Sequence, residues 1–221
     1  MRKTVIFDLD GTLANTLPDL HNSVNFALKK FDFSEILLDD TRKFVGNGLK
    51  MLIKRALPEG SSEETINMVL QEMKAHYADH CNVETRPYEG IPELLKRLSS
   101  EGFRLATVSN KAEPMLLTLH RIYFAQWIPV AVGERPDLPR KPAPDMVLEA
   151  LRQLHSTVED AVYVGDSEVD LQTAHNCNMP CLSVGWGFRS GEDLRNAGAE
   201  TIYRSPAELY DALIGKTNTD S

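Results

Sequence analysis

The sequence predicts an α/β protein with a doubly wound parallel sheet and an inserted all-helical unit, and three observations lead to that class. Val5-Ile6-Phe7 is an apolar run of strand length that ends in Asp8-Leu9-Asp10-Gly11-Thr12, two acids and then a residue that lets the backbone turn tightly. Residues 14–85 carry helical patterning alone. Beyond Pro87, helix and strand patterns alternate almost to the end, as in repeated αβ units whose strands are covered on both faces. With one strand before the helical stretch and the others after it, that stretch reads as an insertion. The expected boundaries are 1–13 and 86–221 for the core domain and 14–85 for the cap.

The elements follow in order. After Leu13 a helix is expected, with Thr16 as its cap and Pro18 and Asp19 in its first turn; Leu20, Val24, Ala27, Leu28 and Phe31 then share a face. Further helices span 40–45, 48–57 and 62–82, separated by Gly46-Asn47-Gly48 and Pro58-Glu59-Gly60. In the second part, helices are expected at 91–100, 113–120, 144–154, 169–176, 191–197 and 206–214. Strands are expected at 104–108, 128–132, 161–164, 181–184 and 201–203. The tail 216–221 reads as disordered. No internal repeat or low-complexity stretch competes with this division.

Composition narrows the class of function. A chain of 221 residues with 42% hydrophobic and 25% charged residues is ordinary for a globular protein, and a net charge of −8 argues against a nucleic-acid or anionic-membrane partner. The three cysteines, Cys81, Cys177 and Cys181, suggest neither a disulfide framework nor a zinc site. Arg2 and Lys3 look like the start of a signal peptide, but the apolar run after them stops at Asp8, so a cytoplasmic protein is expected.

Asp8 and Asp10 at a strand tip raise each other's pKa unless a cation shares them. Hard oxygen donors with no Cys or His nearby point to Mg2+. A second strand, Val162-Tyr163-Val164, ends in Gly165-Asp166-Ser167, and Asp170 stands one helical turn beyond Asp166, so a shared metal site is the better reading of both acidic tips. Ser109-Asn110-Lys111 is expected to end the second strand just before a helix, where a hydroxyl and free backbone N–H groups can hold an anion. Lys141 lies beside Pro142 at a helix entrance, suited to a point charge aimed at phosphate.

Taken in order, Asp8-x-Asp10-Gly11-Thr12, Ser109-Asn110, Lys141-Pro142 and Gly165-Asp166-Ser167-x-x-Asp170 resemble the four motifs of the haloacid-dehalogenase-superfamily phosphatases that carry a helical cap. Within that family the chain is similar to the phosphoglycolate phosphatase type, in Phe44-Val45-Gly46-Asn47-Gly48-Leu49, in Gly185-Trp186-Gly187-Phe188-Arg189, in Ala197-Gly198-Ala199 and in Ser205-Pro206-Ala207-Glu208-Leu209. One departure is Asn15, near the hinge into the cap, where many relatives have Asp.

The resemblance implies strand order 5-4-1-2-3, with the Asp8 and Asp166 strands adjacent. It makes Asp8 the nucleophile and Asp10 the general acid and base, with Mg2+ on Asp8, Asp166 and the backbone carbonyl of Asp10. Phosphate would be bound by Gly11, Thr12, Ser109, Asn110 and Lys141, with Asp170 supporting Lys141 or a metal-bound water. Arg42, Asn47 and Lys50 are candidates for reading the leaving group, and His21 is a weaker one.

The implied reaction is Mg2+-dependent hydrolysis of a small phosphorylated metabolite, 2-phosphoglycolate first, through an aspartyl phosphate. Alternatives are a phosphatase of sugar phosphates or pyrophosphate and a sugar phosphomutase of the β-phosphoglucomutase type. Dehalogenation is disfavoured by the presence of Asp10. A signalling receiver is disfavoured by the helical insertion and by an acidic pair on the first strand. A monomer or homodimer is expected.

Overall fold

In the computed structural model, which describes residues 2–216, the chain divides into two compact units, Met1–Ala14 with Pro87–Ser221, and Asn15–Arg86. The expected tail lies outside the described residues except for Lys216. Strand β1 (Thr4–Phe7) is followed by the two-residue strand β2 (Ala14–Asn15), then by α1 (Leu17–Lys30), α2 (Leu38–Phe44), α3 (Leu49–Ala56) and α4 (Glu63–His80). The two-residue strand β3 (Arg86–Pro87) pairs with β2. There follow α5 (Ile91–Ser100), β4 (Arg104–Ala112), α6 (Glu113–Tyr123), β5 (Val130–Glu134) and α7 (Asp145–Gln153). The remaining elements are β6 (Ala161–Gly165), α8 (Glu168–Asn176), β7 (Cys181–Val184), α9 (Gly191–Asn196), β8 (Ile202–Tyr203) and α10 (Pro206–Leu213).

The α/β unit is a six-stranded sheet in the order β5-β4-β1-β6-β7-β8, with every named pairing parallel. The expected five-strand order is thus extended by the edge strand β8. Central strands have the near-continuous apolar character of strands covered twice. Alternation along β1 sends Val5 and Phe7 to one core, with Ile91, Leu95 and Leu98 of α5, Leu116 and Leu119 of α6 and Leu209 of α10. Ile6 goes to the other, with Met146, Val147 and Ala150 of α7 and Ala174 of α8. Cys177 packs in this second core and Cys181 against it, and all three cysteines are free thiols.

Two local expectations change. The second strand does not stop at Val108: β4 runs on to Ala112, with a shift of register against β5 between those residues. A bulge of this kind is what lets Ser109, Asn110 and Lys111 stay in the sheet while their side chains are re-aimed. The sequence does not predict β2 and β3, because two residues are too few to carry a period.

Inside the helical unit, α1 and α4 are the main packing pair, burying Leu20, Val24, Ala27 and Leu28 against a face that includes Ile66, Val69, Met73 and Tyr77. Thr16 is the N-cap residue of α1, but its hydroxyl makes no capping bond; Asn15 Oδ1 instead accepts from Leu17 N at 3.3 Å. Asp19, buried in the first turn, accepts the backbone N–H groups of Val83, Glu84 and Thr85 at 3.0, 2.8 and 2.9 Å. The start and end of the unit are tied together by this one carboxylate. No described helix is long and apolar enough to cross a membrane.

Candidate active site

The site grows from the carboxyl ends of β1 and β6. Phe7 pairs with Val164 in the parallel register, so the residues that follow them, Asp8 and then Gly165-Asp166, leave the sheet side by side. The Asp8 backbone N–H continues the ladder to Val164 O at 2.9 Å. Carboxylate oxygens of Asp8, Asp166 and Asp170, all buried, lie within 4.8 Å of one another. Three acids so placed need cationic compensation.

Part of it is supplied by Lys141. Its ammonium donates to Asp170 Oδ1 at 2.8 Å and to the Tyr163 hydroxyl at 2.9 Å, and it lies 3.0 Å from Asp8 Oδ1. These three partners match the three donors of an ammonium group. Burial alone would lower the Lys141 pKa, but the carboxylates of Asp170 and Asp8 outweigh it and hold the group well above its usual range. The Tyr163 hydroxyl in turn donates to Val108 O at 3.2 Å. Burial keeps that phenol well above its ordinary pKa, so it remains a neutral link.

One lysine does not balance three acids. Burial, opposed by Lys141 and reinforced by Asp170 and Asp10, pushes Asp8 up to about 7. Asp166 is held well above the carboxylate range by burial first, then by Asp170 and Asp8. The backbone N–H of Phe188, 2.7 Å from Asp166 Oδ2, and the Thr12 hydroxyl, 3.1 Å from Oδ1, act in the opposite direction. A hard divalent cation fits this donor set, since it would replace protons on Asp8 and Asp166. Asp170 is less available to such an ion: its second oxygen accepts from Ser167 N at 3.1 Å and Ser167 Oγ at 2.7 Å, closing a capping box on α8.

Glycines make room for these acids. A Cβ on Gly11, whose φ is +85°, would stand 2.2 Å from Asp166 Oδ2; one on Gly187 would stand 2.3 Å from Asp166 Cβ, and one on Gly165 2.3 Å from Asp170 Cβ. Gly187 sits in a segment noted in the sequence only as a likeness, and its reason is spatial: it lets the Phe188 N–H reach Asp166.

Asp10 follows a different course from Asp8. Its carboxylate is paired with the buried ammonium of Lys111 at 2.7 Å. The sequence does not mark Lys111 as a site residue, because its place depends on β4 running past Val108. Tyr163 was also missed, and nothing in its apolar run distinguishes it.

Of the expected phosphate-binding residues, Ser109 is buried and its Oγ accepts from Lys111 N at 3.3 Å. Asn110 donates to Lys141 O at 3.0 Å, so its amide positions the Lys141 loop. Thr12 turns its hydroxyl to Asp166, and its carbonyl accepts from the Trp186 indole at 3.0 Å. The candidates in the helical unit have partners within that unit. Lys50 pairs with Glu63 at 2.7 Å, Asn47 accepts from Arg55 at 2.9 Å, Arg42 lies 3.7 Å from Asp39, and His21 bonds Thr41 at 2.9 Å.

The chain is similar to known proteins over most of its length. The family described as haloacid dehalogenase-like hydrolase matches residues 5–184. The chain is 33% identical to a phosphoglycolate phosphatase of Nitrosospira multiformis over 98% of this chain and 97% of the relative. It is 32% identical to one from Psychrobacter arcticus, with 96% of each covered. Among solved structures, one from Lactobacillus delbrueckii subsp. bulgaricus superposes with TM-score 0.93 at 35% identity, covering 96% of this chain and 98% of the other. CbbY from Rhodobacter sphaeroides, solved in complex with phosphate, gives 0.77 at 25% identity, with 95% and 96% covered.

Proposed function

We propose, for a chain that belongs to the haloacid dehalogenase-like hydrolases, that it is a Mg2+-dependent phosphatase of a small phosphorylated metabolite, with 2-phosphoglycolate the leading substrate. The observation that carries the reading is the setting of Asp8. Its Oδ1 is held by Lys141 at 3.0 Å and by the Leu9 N–H at 2.7 Å, while its Oδ2 takes no hydrogen bond among the described residues.

In this reading Asp8 Oδ2 attacks phosphorus, an O–P bond forms, and the bond from phosphorus to the leaving oxygen breaks. Asp10, held by Lys111 at Oδ1 and entering the step protonated on its other oxygen, gives that proton to the leaving alkoxide. Asp10 then removes a proton from the water that attacks the aspartyl phosphate, releasing phosphate and restoring Asp8. Lys141 offsets charge on Asp8 throughout, and Ser109 with neighbouring backbone N–H groups binds phosphate oxygens. Asp8, Asp166 and the Asp10 backbone carbonyl would hold Mg2+, which supplies charge neutralisation between the anionic nucleophile and the anionic substrate. We assign reading of the leaving group to the helical unit, with Arg42, Asn47 and Lys50 as candidates.

Asp8→Asn tests the chemistry: phosphate release should be abolished while the fold persists, and full activity in that variant would remove the mechanism. A panel of phosphate monoesters with and without Mg2+ tests the substrate. Preference for a two-carbon acid over sugar phosphates and pyrophosphate supports the narrower reading, whereas isomerisation of a hexose 1-phosphate without phosphate release favours a mutase.

A further inference from the structure

The segment 186–189, between β7 and α9, holds Asp166 from two sides. The Trp186 indole donates to Thr12 O at 3.0 Å, and the Thr12 hydroxyl donates to Asp166 Oδ1 at 3.1 Å. The Phe188 N–H donates to Asp166 Oδ2 at 2.7 Å. Each oxygen of Asp166 thus carries an outer hydrogen bond, one from the segment itself and one from a residue that the segment anchors. Between them a Cβ on Gly187 would stand 2.3 Å from Asp166 Cβ, so the backbone lies directly against this acid.

Arg189 closes the arrangement. Its Nε donates to Glu168 Oε2 at 2.8 Å and its Nη2 to Glu168 Oε1 at 3.1 Å, a bidentate fork. Glu168 opens α8, two places after Asp166, and Arg189 directly follows Phe188. The fork therefore joins the chain just beyond Asp166 to the chain just beyond the N–H that holds it. Burial works against the charge of Arg189, but Glu168, then Asp166 and Asp193, outweigh it and raise its pKa. The Arg189 side chain is 11% exposed and that of Glu168 46%. A pair with one half in water adds little to stability, so what the fork supplies is direction.

We propose that Trp186, Glu168 and Arg189 are positioning residues for Asp166, locking the 186–189 segment so that Thr12 and the Phe188 N–H fix the direction in which its carboxylate meets a divalent cation. The inference rests on the reading of Asp8 and Asp166 as metal ligands. Outer hydrogen bonds of this kind orient a ligating carboxylate, and their loss weakens metal binding by roughly 10- to 100-fold. All three residues act through Asp166, so the cost falls on metal affinity and not on turnover once the metal is saturating.

The test is Mn2+ binding to the full-length chain, read from the loss of the free-ion electron paramagnetic resonance signal and from competition by Mg2+, beside the Mg2+ dependence of phosphate release. Arg189→Met and Arg189→Lys should each weaken both ions roughly tenfold, since lysine keeps the charge and loses the fork. Trp186→Phe, which removes the indole N–H, and Glu168→Gln, at a half-exposed position, should act in the same direction. Glu168→Gln added to Arg189→Met should cost nothing further. At saturating Mg2+, kcat should stay within about threefold of wild type. Arg152→Met breaks a like fork with Glu149 on α7 and should leave metal affinity unchanged. Metal affinity unaltered by Arg189→Met and Glu168→Gln, or restored by Arg189→Lys, overturns the proposal. Unaltered affinity in Asp166→Asn overturns the metal reading with it.

Discussion

Lys111 Nζ lies 2.7 Å from Asp10 Oδ1, a pair made between residues 101 positions apart and buried on the lysine side. It fixes one carboxyl oxygen of Asp10 in place. Lys111→Met should therefore lower kcat by about 10- to 100-fold, a fraction of what general acid–base catalysis contributes, with a smaller change in KM. Steady-state kinetics of Lys111→Met beside Asp10→Asn checks this; wild-type kcat in the lysine variant would show that the pair is only structural.

Gly11→Ala combines two faults, a Cβ 2.2 Å from Asp166 Oδ2 and a side chain at φ +85°. The backbone conformation alone is expected to cost about 1–3 kcal/mol. Displacement of Asp166 should also weaken Mg2+. Urea denaturation with and without Mg2+ reads both effects: Mg2+ should stabilise wild type and should stabilise the variant much less.

Removing the ammonium of Lys141 leaves buried carboxylates on Asp8 and Asp170 without their cation. Breaking such a pair from one side is expected to destabilise by about 3–5 kcal/mol. Lys141→Met should lower both the denaturation midpoint and phosphate release. Lys141→Arg should not rescue, because a planar guanidinium cannot reach Asp8, Asp170 and Tyr163 from one nitrogen as the ammonium does.

The pH dependence of the metal-free protein has a definite sign. Asp8 rises from an ordinary 3.8 to about 7 in the folded chain, so between these values the folded state binds more protons than the unfolded one. Its contribution to stability is full below pH 3.8 and is lost as pH rises through about 7. Asp166 is shifted in the same direction. Lys141, raised above its usual range, stays charged throughout that window. Thermal melts in EDTA should show the Asp8 loss on going from pH 5 to pH 8. Added Mg2+ should raise Tm more at pH 8, where it competes with fewer protons.

In the helical unit, Asp19→Ala would strip the acceptor from three backbone N–H groups, one of them on the fully buried Thr85. A loss of about 2–3 kcal/mol is expected from charge-assisted bonds of this kind. Chemical denaturation measures it, and Asp19→Asn should lie between Ala and wild type.

Asp8, Asp166 and Asp170 were legible because each belongs to an uninterrupted local pattern, an apolar strand running into acids, with a second acid one helical turn on. The αβ alternation was legible for the same reason, as were most helices to within a few residues. The extension of β4 through Ser109-Asn110-Lys111 was not, because it depends on where β5 offers hydrogen bonds.

What the sequence by itself determined is the set of residues that share a strand tip or a helix face, since periods of two and 3.6 are properties of a single segment. Which groups then meet was decided by tertiary structure alone. Parallel pairing of β1 with β6 brings Asp8 beside Asp166, the Lys141 loop reaches Tyr163 and Asp170, and the bulged end of β4 turns Lys111 to Asp10. Those contacts join segments far apart in the chain, and their geometry is set by strand register and by three glycines that leave space for two buried carboxylates.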